Sequence, residues 1–226
     1  MTTRQTAVLF LAAVTLAGCV SVPNNNPLAV WSPSDNFDDR KPRLIILHAT
    51  EMNSAESALQ ILKSQNPSGR VSAHYLISED GKIFQLVEDT KRAWHAGAGR
   101  WHQINDINSV SIGIELDNDG IEPFSKSQID ALIILLTDLT QRYSIPVKGV
   151  IGHADMAPTR KKDPGALFPW QQLAEAGFGQ WYGESLIEPP VDFNAELALQ
   201  KIGYDTRDLP AAVMAPWWSD AVRSRL

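Results

Sequence analysis

Two of the five histidines in the chain stand where a short apolar segment gives way to a loop. His48 follows the segment "RLIIL", His153 follows "VKGVIG", and Asp163 comes ten positions after His153 on the same loop. Two imidazole nitrogens and a carboxylate oxygen form a ligand set that zinc uses when it keeps a fourth position open for water. The residue types therefore predict a catalytic metal site, provided that the fold brings the three side chains together.

Each of these residues also has a simpler explanation. A single histidine at a strand end is more often a hydrogen-bonded residue of the core or surface than a ligand, and an aspartate before proline is more often a turn former. More than a hundred positions separate His48 from His153, so spacing alone does not show that they meet. On these residues alone, both explanations stay open.

The elements that would carry these side chains follow from the pattern of apolar residues. One strand ends at His48, another runs into His153, and the segment from Ser109 to Leu116 alternates apolar with small or polar residues. In that alternating strand Glu115 faces the side opposite the apolar set. The Asp-Gly pair at 80–81, between two strand-like segments, predicts a β-hairpin.

Two helices complete the predicted domain. The segment "NSAESALQILKSQNP" has Asn53 or Ser54 as its N-cap. The segment "SKSQIDALIILLTDLTQRYSIP" has Ser125 or Ser127 as its cap and an apolar stripe made of Ile129, Leu132, Ile133, Leu136 and Leu139. Strands mixed with helices, including one antiparallel hairpin, predict an α/β fold with a central mixed β-sheet flanked by helices.

Length and charge narrow the class of protein. The chain has 226 residues, of which 44% are hydrophobic, and this suits one domain of ordinary size with short appendages. A formal net charge of −6 offers no basic surface for nucleic acid, so we predict no nucleic-acid partner.

The N-terminus has the pattern of an export signal. An arginine and an apolar run too short to span a bilayer precede "LAGC", which contains Cys19, the single cysteine. This tetrapeptide resembles the lipobox of bacterial lipoproteins, which implies cleavage before Cys19, a lipid anchor on its thiol and, because Val20 follows, a location on the periplasmic face of the outer membrane. The alternative is a simple signal peptide whose cysteine happens to lie near the cut.

Five further segments carry a resemblance that covers about residues 40 to 180. In order and spacing, they are similar to the zinc-dependent N-acetylmuramoyl-L-alanine amidases of the type-2 family, which includes phage-lysozyme amidases and peptidoglycan recognition proteins. The segments are "IILHAT", "GRVSAHYLISEDGKIFQLV", "RAWHAG", "SIGIEL" and "GHADMAPTRKKDPG". With the lipobox, the chain most resembles the outer-membrane lipoprotein amidases of Gram-negative bacteria.

The resemblance implies an activity and a set of site residues. One catalytic zinc ion would be bound by His48, His153 and Asp163, with Glu115 and Lys161 as catalytic residues. The enzyme would hydrolyse the amide bond between N-acetylmuramic acid and L-alanine in peptidoglycan or anhydromuropeptides. Some relatives carry a tyrosine where this chain has Ala73, so the role of general base falls to Glu115 alone.

The same resemblance assigns a substrate groove. It would contain Trp94, whose indole covers a sugar face, His95, whose imidazole binds the peptide, and also His74 and Arg70. Alternatively, Trp94 is a core residue and His95 lies on the surface. His74 could instead be a buried histidine that supports the metal ligands. His102 is predicted to be exposed to solvent.

These observations divide the chain into four parts. Residues 1–18 are the predicted signal peptide, 19–35 the lipidated cysteine and tether, 36–186 the amidase domain, and 187–226 a linker with a helical tail. "LALQKIGYDTRD" in that tail resembles the start of a small peptidoglycan-binding module. After Met214 the sequence departs from the helical pattern, so we predict a module that is truncated or whose reading frame is altered, with a partly disordered end.

Two other functions share these features. Recognition proteins with this fold bind muropeptides without cutting them, although such proteins generally lack a complete ligand set. A zinc peptidase that cuts within the stem peptide would use the same metal chemistry. The sequence predicts a monomer, and it does not distinguish intact peptidoglycan from anhydromuropeptides as the preferred substrate.

Overall fold

A computed structural model describes residues 26–39, 42–64, 69–182 and 187–215 of the chain. The predicted signal peptide, Cys19, the first part of the tether and the end of the chain after Ala215 lie outside these residues. Among the residues described, the helices are all too short or too polar to cross a membrane.

A six-stranded mixed sheet lies at the centre of the fold and confirms the predicted α/β class. The strands are β1 (Val30–Trp31), β2 (Asp38–Asp39), β3 (Leu44–Ala49), β4 (Tyr75–Ile77), β5 (Ile83–Gln85), β6 (Lys91–Arg92), β7 (Ser111–Leu116) and β8 (Val150–Gly152). The order in the large sheet is β1-β5-β4-β7-β3-β8, while β2 and β6 form a separate antiparallel pair. Strands β4, β7, β3 and β8 are parallel, and β4 and β5 form the predicted antiparallel hairpin.

In the described part of the chain, six α-helices flank the sheet. They are α1 (Ala55–Lys63), α2 (Lys126–Tyr143), α3 (His153–Met156), α4 (Trp170–Glu175), α5 (Ala195–Ile202) and α6 (Leu209–Val213), with single 3₁₀ turns at Val147–Gly149 and Thr206–Asp208. The first two begin at Ser54 and Ser125, whose hydroxyl groups accept hydrogen bonds from the backbone N–H three residues later. Both caps are among the predicted alternatives. A serine oxygen suits this position because it accepts a hydrogen bond from a backbone N–H that has no partner within the helix.

The two faces of the sheet differ in what covers them. On one face, Ile45 and Leu47 of β3 pack with the buried stripe of α2, which includes the predicted Leu132 and Leu136 and also Leu135. This packing follows from the alternation of side chains along a strand and from the helical spacing of the apolar residues on α2.

The opposite face carries the polar side chains. His48 shares that face of β3 with Leu44 and Ile46, which pack in a second buried cluster. On β7, Glu115 lies on the side opposite Ile114, which packs toward α2, so the predicted orientation of Glu115 is confirmed. His48 and Glu115 are also direct neighbours across the β3 and β7 pair.

The helices after residue 187 pack on this second face. Leu199, Tyr204 and Ala212 are buried in one cluster with Trp101 and Met156. The Tyr204 hydroxyl donates a hydrogen bond of 2.6 Å to the buried Oδ1 of Asp155, and its ring meets Trp101 edge to face. This short C-terminal unit therefore buries its apolar side against the domain that contains the large sheet.

Replacing Tyr204 with phenylalanine tests how firmly the C-terminal unit is attached. Tyr204→Phe removes one hydrogen bond to a buried carboxylate, so the free energy of unfolding should fall by about 1–3 kcal/mol. Urea unfolding of the full chain measures this change. The matched control is Tyr182→Phe at a half-buried site, which should change stability by less than about 0.5 kcal/mol. Equal stabilities of Tyr204→Phe and the natural chain would contradict this role.

Candidate metal centre and active site

The three predicted ligands meet at one edge of the sheet. His48 lies near the carboxyl end of β3, and His153 follows β8 directly, whose Gly152 pairs with Leu47. Carboxyl ends of neighbouring parallel strands share one edge of a sheet, which is where sites of this kind form. The strand order thus brings together two histidines that are far apart in the sequence.

Asp163 reaches the same point through the loop after α3. The Ala154 N–H donates a hydrogen bond of 2.9 Å to the Asp163 carbonyl oxygen, and this ties the loop back to the helix that begins with His153. Asp155 fixes the start of this helix, because its Oδ2 accepts a hydrogen bond of 2.7 Å from the Gly152 N–H. The local backbone therefore positions both ligands of this segment.

The ligand atoms form a nearly regular triangle. The distance is 2.9 Å between the Nδ1 atoms of His48 and His153, and Asp163 Oδ2 lies 3.1 and 3.0 Å from these two nitrogens. Ligands bound tetrahedrally to one zinc ion are about 3.3 Å apart, given zinc–ligand bonds of about 2.0–2.1 Å. All three side chains are buried. The site therefore fits a zinc ion in both the kind and the separation of its ligand atoms.

The protonation state of His48 suits metal binding. Burial, and then repulsion by the neighbouring His153, lower the pKa of His48 to about 4. The imidazole is therefore neutral near pH 7, and only a neutral imidazole has the lone pair that a metal ion requires.

Glu115 lies beside this triangle. It is half-buried and pairs with His48 across the two strands. Burial, and then the negative charge of Asp163, raise the pKa of Glu115 to about 8, while the positive charge of Lys161 opposes the shift. A carboxyl group that can both take up and release a proton near neutral pH suits general acid–base chemistry.

A cleft of about 450 Å³ opens beside Asp163, one of the three predicted ligands. Lys161 and Asp163 line it together with Ala49, Glu51 and the C-terminal Met214. Lys161 is half-buried, so its ammonium group adds positive charge to the wall of the cleft. Lys161, Asp163 and the C-terminal unit thus border the same space.

The predicted groove residues fall into two groups. His95 and His74 are buried, and they lie behind the ligands: His95 Nδ1 is 3.0 Å from His48 Nε2, and the rings of His74 and His95 meet edge to face at 5.6 Å. Trp94 is half-buried, and the guanidinium groups of Arg70 and Arg92 lie over its ring at 4.5 and 3.8 Å from the centroid. The substrate roles of Trp94, His95, His74 and Arg70 stay predictions.

His102 is exposed, as predicted. Sequence reasoning missed three further residues around the ligands. The Ala96 carbonyl oxygen, the Asn108 amide and the Ser111 hydroxyl are all within hydrogen-bond distance of a buried histidine or of its backbone. The one sequence signal for these contacts is the pair of small residues, Ser111 and Gly113, on the same face of β7 as Glu115.

Known proteins are similar to this chain in sequence and in fold. Residues 38–166, more than half of the chain, match the model of the N-acetylmuramoyl-L-alanine amidase family. The chain is 36% identical over 233 residues to the N-acetylmuramoyl-L-alanine amidase AmiD of Escherichia coli K12, covering 88% of this chain and 81% of that protein. It is 43% identical over 104 residues to the 1,6-anhydro-N-acetylmuramyl-L-alanine amidase AmpD of the same organism, covering 46% of this chain and 57% of AmpD.

A solved structure agrees with these relatives. The complex of E. coli AmiD with anhydro-N-acetylmuramic acid-L-Ala-D-γ-Glu-L-Lys superimposes with a TM-score of 0.68 at 32% identity, covering 82% of this chain and 88% of that one. The family match spans β3, β7, β8 and all three ligand residues. The chain therefore belongs to the N-acetylmuramoyl-L-alanine amidase family and is an enzyme of that class.

Proposed function

We propose that the chain is a zinc-dependent amidase that cuts the bond between N-acetylmuramic acid and L-alanine in muropeptides, including those with an anhydro sugar. The observation that carries this proposal is the triangle formed by His48, His153 and Asp163, with sides of 2.9–3.1 Å, beside Glu115. The activity of the AmpD relatives and the muropeptide bound to AmiD support the choice of substrate.

The ligand set favours zinc over other divalent ions. Two imidazoles and one carboxylate provide the nitrogen and oxygen atoms that zinc binds in sites with an open fourth position. When bound, zinc supplies Lewis acidity, which polarises a carbonyl group and makes water a stronger acid near neutral pH. His48, His153 and Asp163 would hold the ion, and Asp163 also lines the cleft.

Glu115 moves the proton in this proposal. Amide hydrolysis requires a base that accepts a proton from the attacking water and an acid that gives a proton to the leaving amine. Glu115 is the carboxylate next to His48 on the neighbouring strand, and it is separate from the three ligands. We assign both proton transfers to Glu115. Its carboxylate would accept a proton from the attacking water, and the resulting carboxylic acid would give that proton to the leaving amine.

Lys161 supplies positive charge in this proposal. The carbonyl oxygen becomes negatively charged as the water attacks, and a cation aimed at that oxygen stabilises the transition state more than the ground state. Lys161 lines the cleft and acts electrostatically on both Glu115 and His48. We therefore place its ammonium group on the side of the cleft where the oxyanion forms.

Removing the metal should abolish activity. After dialysis of the full chain against a chelator, we expect no release of stem peptides that begin with a free L-alanine amine, and one equivalent of zinc should restore it. Mass spectrometry of an anhydromuropeptide digest measures the product and excludes cleavage within the stem. Asp163→Asn, which keeps the shape but loses the charge, should hold little zinc. Undiminished activity in protein shown by elemental analysis to lack metal would refute the zinc proposal.

Replacing Glu115 with glutamine should separate catalysis from metal binding. Glu115→Gln has almost the same shape but cannot accept a proton, so kcat should fall by about 10²–10⁴-fold while the zinc content stays the same. Steady-state kinetics on an anhydromuropeptide, with metal analysis of the same sample, provides the measurement. Glu56→Gln, an exposed position in the first turn of α1, is the matched control. A variant that keeps most of its kcat would remove Glu115 from the mechanism.

We further propose that lipid on Cys19 anchors the enzyme to the periplasmic face of the outer membrane. The support is the sequence "LAGC" after an apolar run, since several acyl chains together anchor a protein stably. The polar and proline-containing stretch that follows would then serve as a tether between the membrane and the catalytic domain.

Labelling with a radioactive fatty acid tests the anchor. The full chain expressed in a Gram-negative host should incorporate label and sediment with the outer membrane, whereas Cys19→Ser should do neither. Val20→Asp should move the labelled protein to the inner membrane, in keeping with the sorting rule for the residue after the lipidated cysteine. Equal labelling of the natural chain and Cys19→Ser would exclude lipidation at this position.

A further inference from the structure

We propose that a single loop, His95 and Ala96, orients both metal-binding histidines and that His95 is a positioning residue rather than a substrate contact. This inference rests on the proposed zinc site. The loop supplies one hydrogen-bond partner to each of the two histidines: the His95 side chain faces His48, and the Ala96 carbonyl oxygen faces His153. Partners on the far side of metal-bound imidazoles set which nitrogen carries the proton and how the ring is turned.

The position of the proton on His153 follows from its neighbour. His153 Nε2 lies 2.8 Å from the Ala96 carbonyl oxygen, and a carbonyl oxygen only accepts hydrogen bonds. Nδ1 also faces an acceptor, Asp163 Oδ2 at 3.0 Å. With a metal ion on the Nδ1 side the lone pair would lie on Nδ1, so the ring would carry its proton on Nε2. Nδ1 is the atom that points to Asp163 and to the centre of the ligand triangle.

The position of the proton on His48 follows from a chain of three contacts. The Ser111 hydroxyl donates to the Ile107 carbonyl oxygen at 2.7 Å, so Ser111 Oγ accepts at 3.2 Å from His95 Nε2. His95 then has its lone pair on Nδ1, which accepts from His48 Nε2 at 3.0 Å. Each step leaves one arrangement of protons, and the last one places the lone pair of His48 on Nδ1, toward the metal site.

The loop is itself fixed by Asn108. The amide oxygen Oδ1 of this buried residue accepts hydrogen bonds from the backbone N–H groups of His95 and Ala96, at 3.1 and 2.9 Å. Arg160 also donates to the Ala96 carbonyl oxygen at 2.6 Å, which leaves the second lone pair of that oxygen for His153. Asn108 and Arg160 therefore fix the position of the His95 backbone relative to the Ala96 carbonyl oxygen.

Space for the His95 ring is provided by Gly113. A Cβ atom at this position of β7 would lie 2.4 Å from Cγ of His95, which is far inside van der Waals contact. The ring thus lies directly against the strand backbone. Behind it, His74 accepts a hydrogen bond from the Gly113 N–H through Nδ1 at 2.9 Å and faces the Lys91 carbonyl oxygen through Nε2 at the same distance.

A matched pair of variants tests the role of His95 through zinc affinity. His95→Leu has no acceptor for His48, so zinc affinity, measured by competition with a chelator on the full chain, should fall about 10–100-fold. His95→Asn keeps an amide oxygen near the position of Nδ1 and should recover most of that loss. His102→Ala removes an exposed histidine and should bind zinc like the natural chain. Zinc affinity unchanged in His95→Leu, with a higher KM instead, would overturn the proposal and favour a substrate contact.

The proton positions give a second test that does not depend on affinity. Nitrogen-15 spectra of the imidazoles in the zinc-loaded natural chain should show His48, His95 and His153 with the proton on Nε2. A proton on Nδ1 of His95 would reverse the chain of contacts and overturn the proposal. If His95→Leu fails to fold, Ser111→Ala should give a mixture of the two His95 forms and weaker zinc binding. If the natural chain binds no zinc, the zinc proposal fails, while the spectrum of the zinc-free chain still decides whether His95 carries its proton on Nε2, toward Ser111.

Discussion

The proposed metal site depends on holding three ligand atoms about 3 Å apart with their lone pairs directed at one point. Such atoms repel each other, so the surrounding structure must prevent them from turning away when no cation is bound. The rigid edge of a parallel sheet meets part of this requirement, because β3 and β8 fix the backbones of both histidines. Partners behind the imidazoles meet the rest, because each ring is held through its second nitrogen.

This requirement explains the unequal faces of the sheet. The face toward α2 is packed with large apolar side chains and provides stability by burying apolar area. The other face has small residues on β7, which allow a layer of buried histidines to lie against the strand. Buried imidazoles are tolerated there because each ring nitrogen finds a hydrogen-bond partner or a metal position. Stability and chemistry are thus assigned to opposite faces of one sheet.

Much of the fold and the ligand set could be predicted from the sequence. Caps such as Ser125 and the Asp-Gly turn act locally, and the alternation around Glu115 shows its face directly. The choice of His48, His153 and Asp163 as proposed metal ligands came from the resemblance, since spacing alone left structural explanations open. The contacts behind the ligands could not be predicted, because His95 is 47 positions from His48 and Ala96 is 57 positions from His153. Such contacts depend on how a loop packs across a sheet, which no local pattern encodes.

The hydrogen bond between Tyr204 and Asp155 joins the C-terminal unit to the helix that carries His153. One oxygen of Asp155 holds the start of the helix that carries His153, and the other accepts from the C-terminal unit. Coupling free energies between two sites are reciprocal, so any ligand that binds tightly only when this helix is in place also stabilises the docked C-terminal helices. Conversely, a cell-wall polymer bound to the docked C-terminal unit would favour the metal-binding arrangement, and the enzyme would be most fully formed where its substrate is attached.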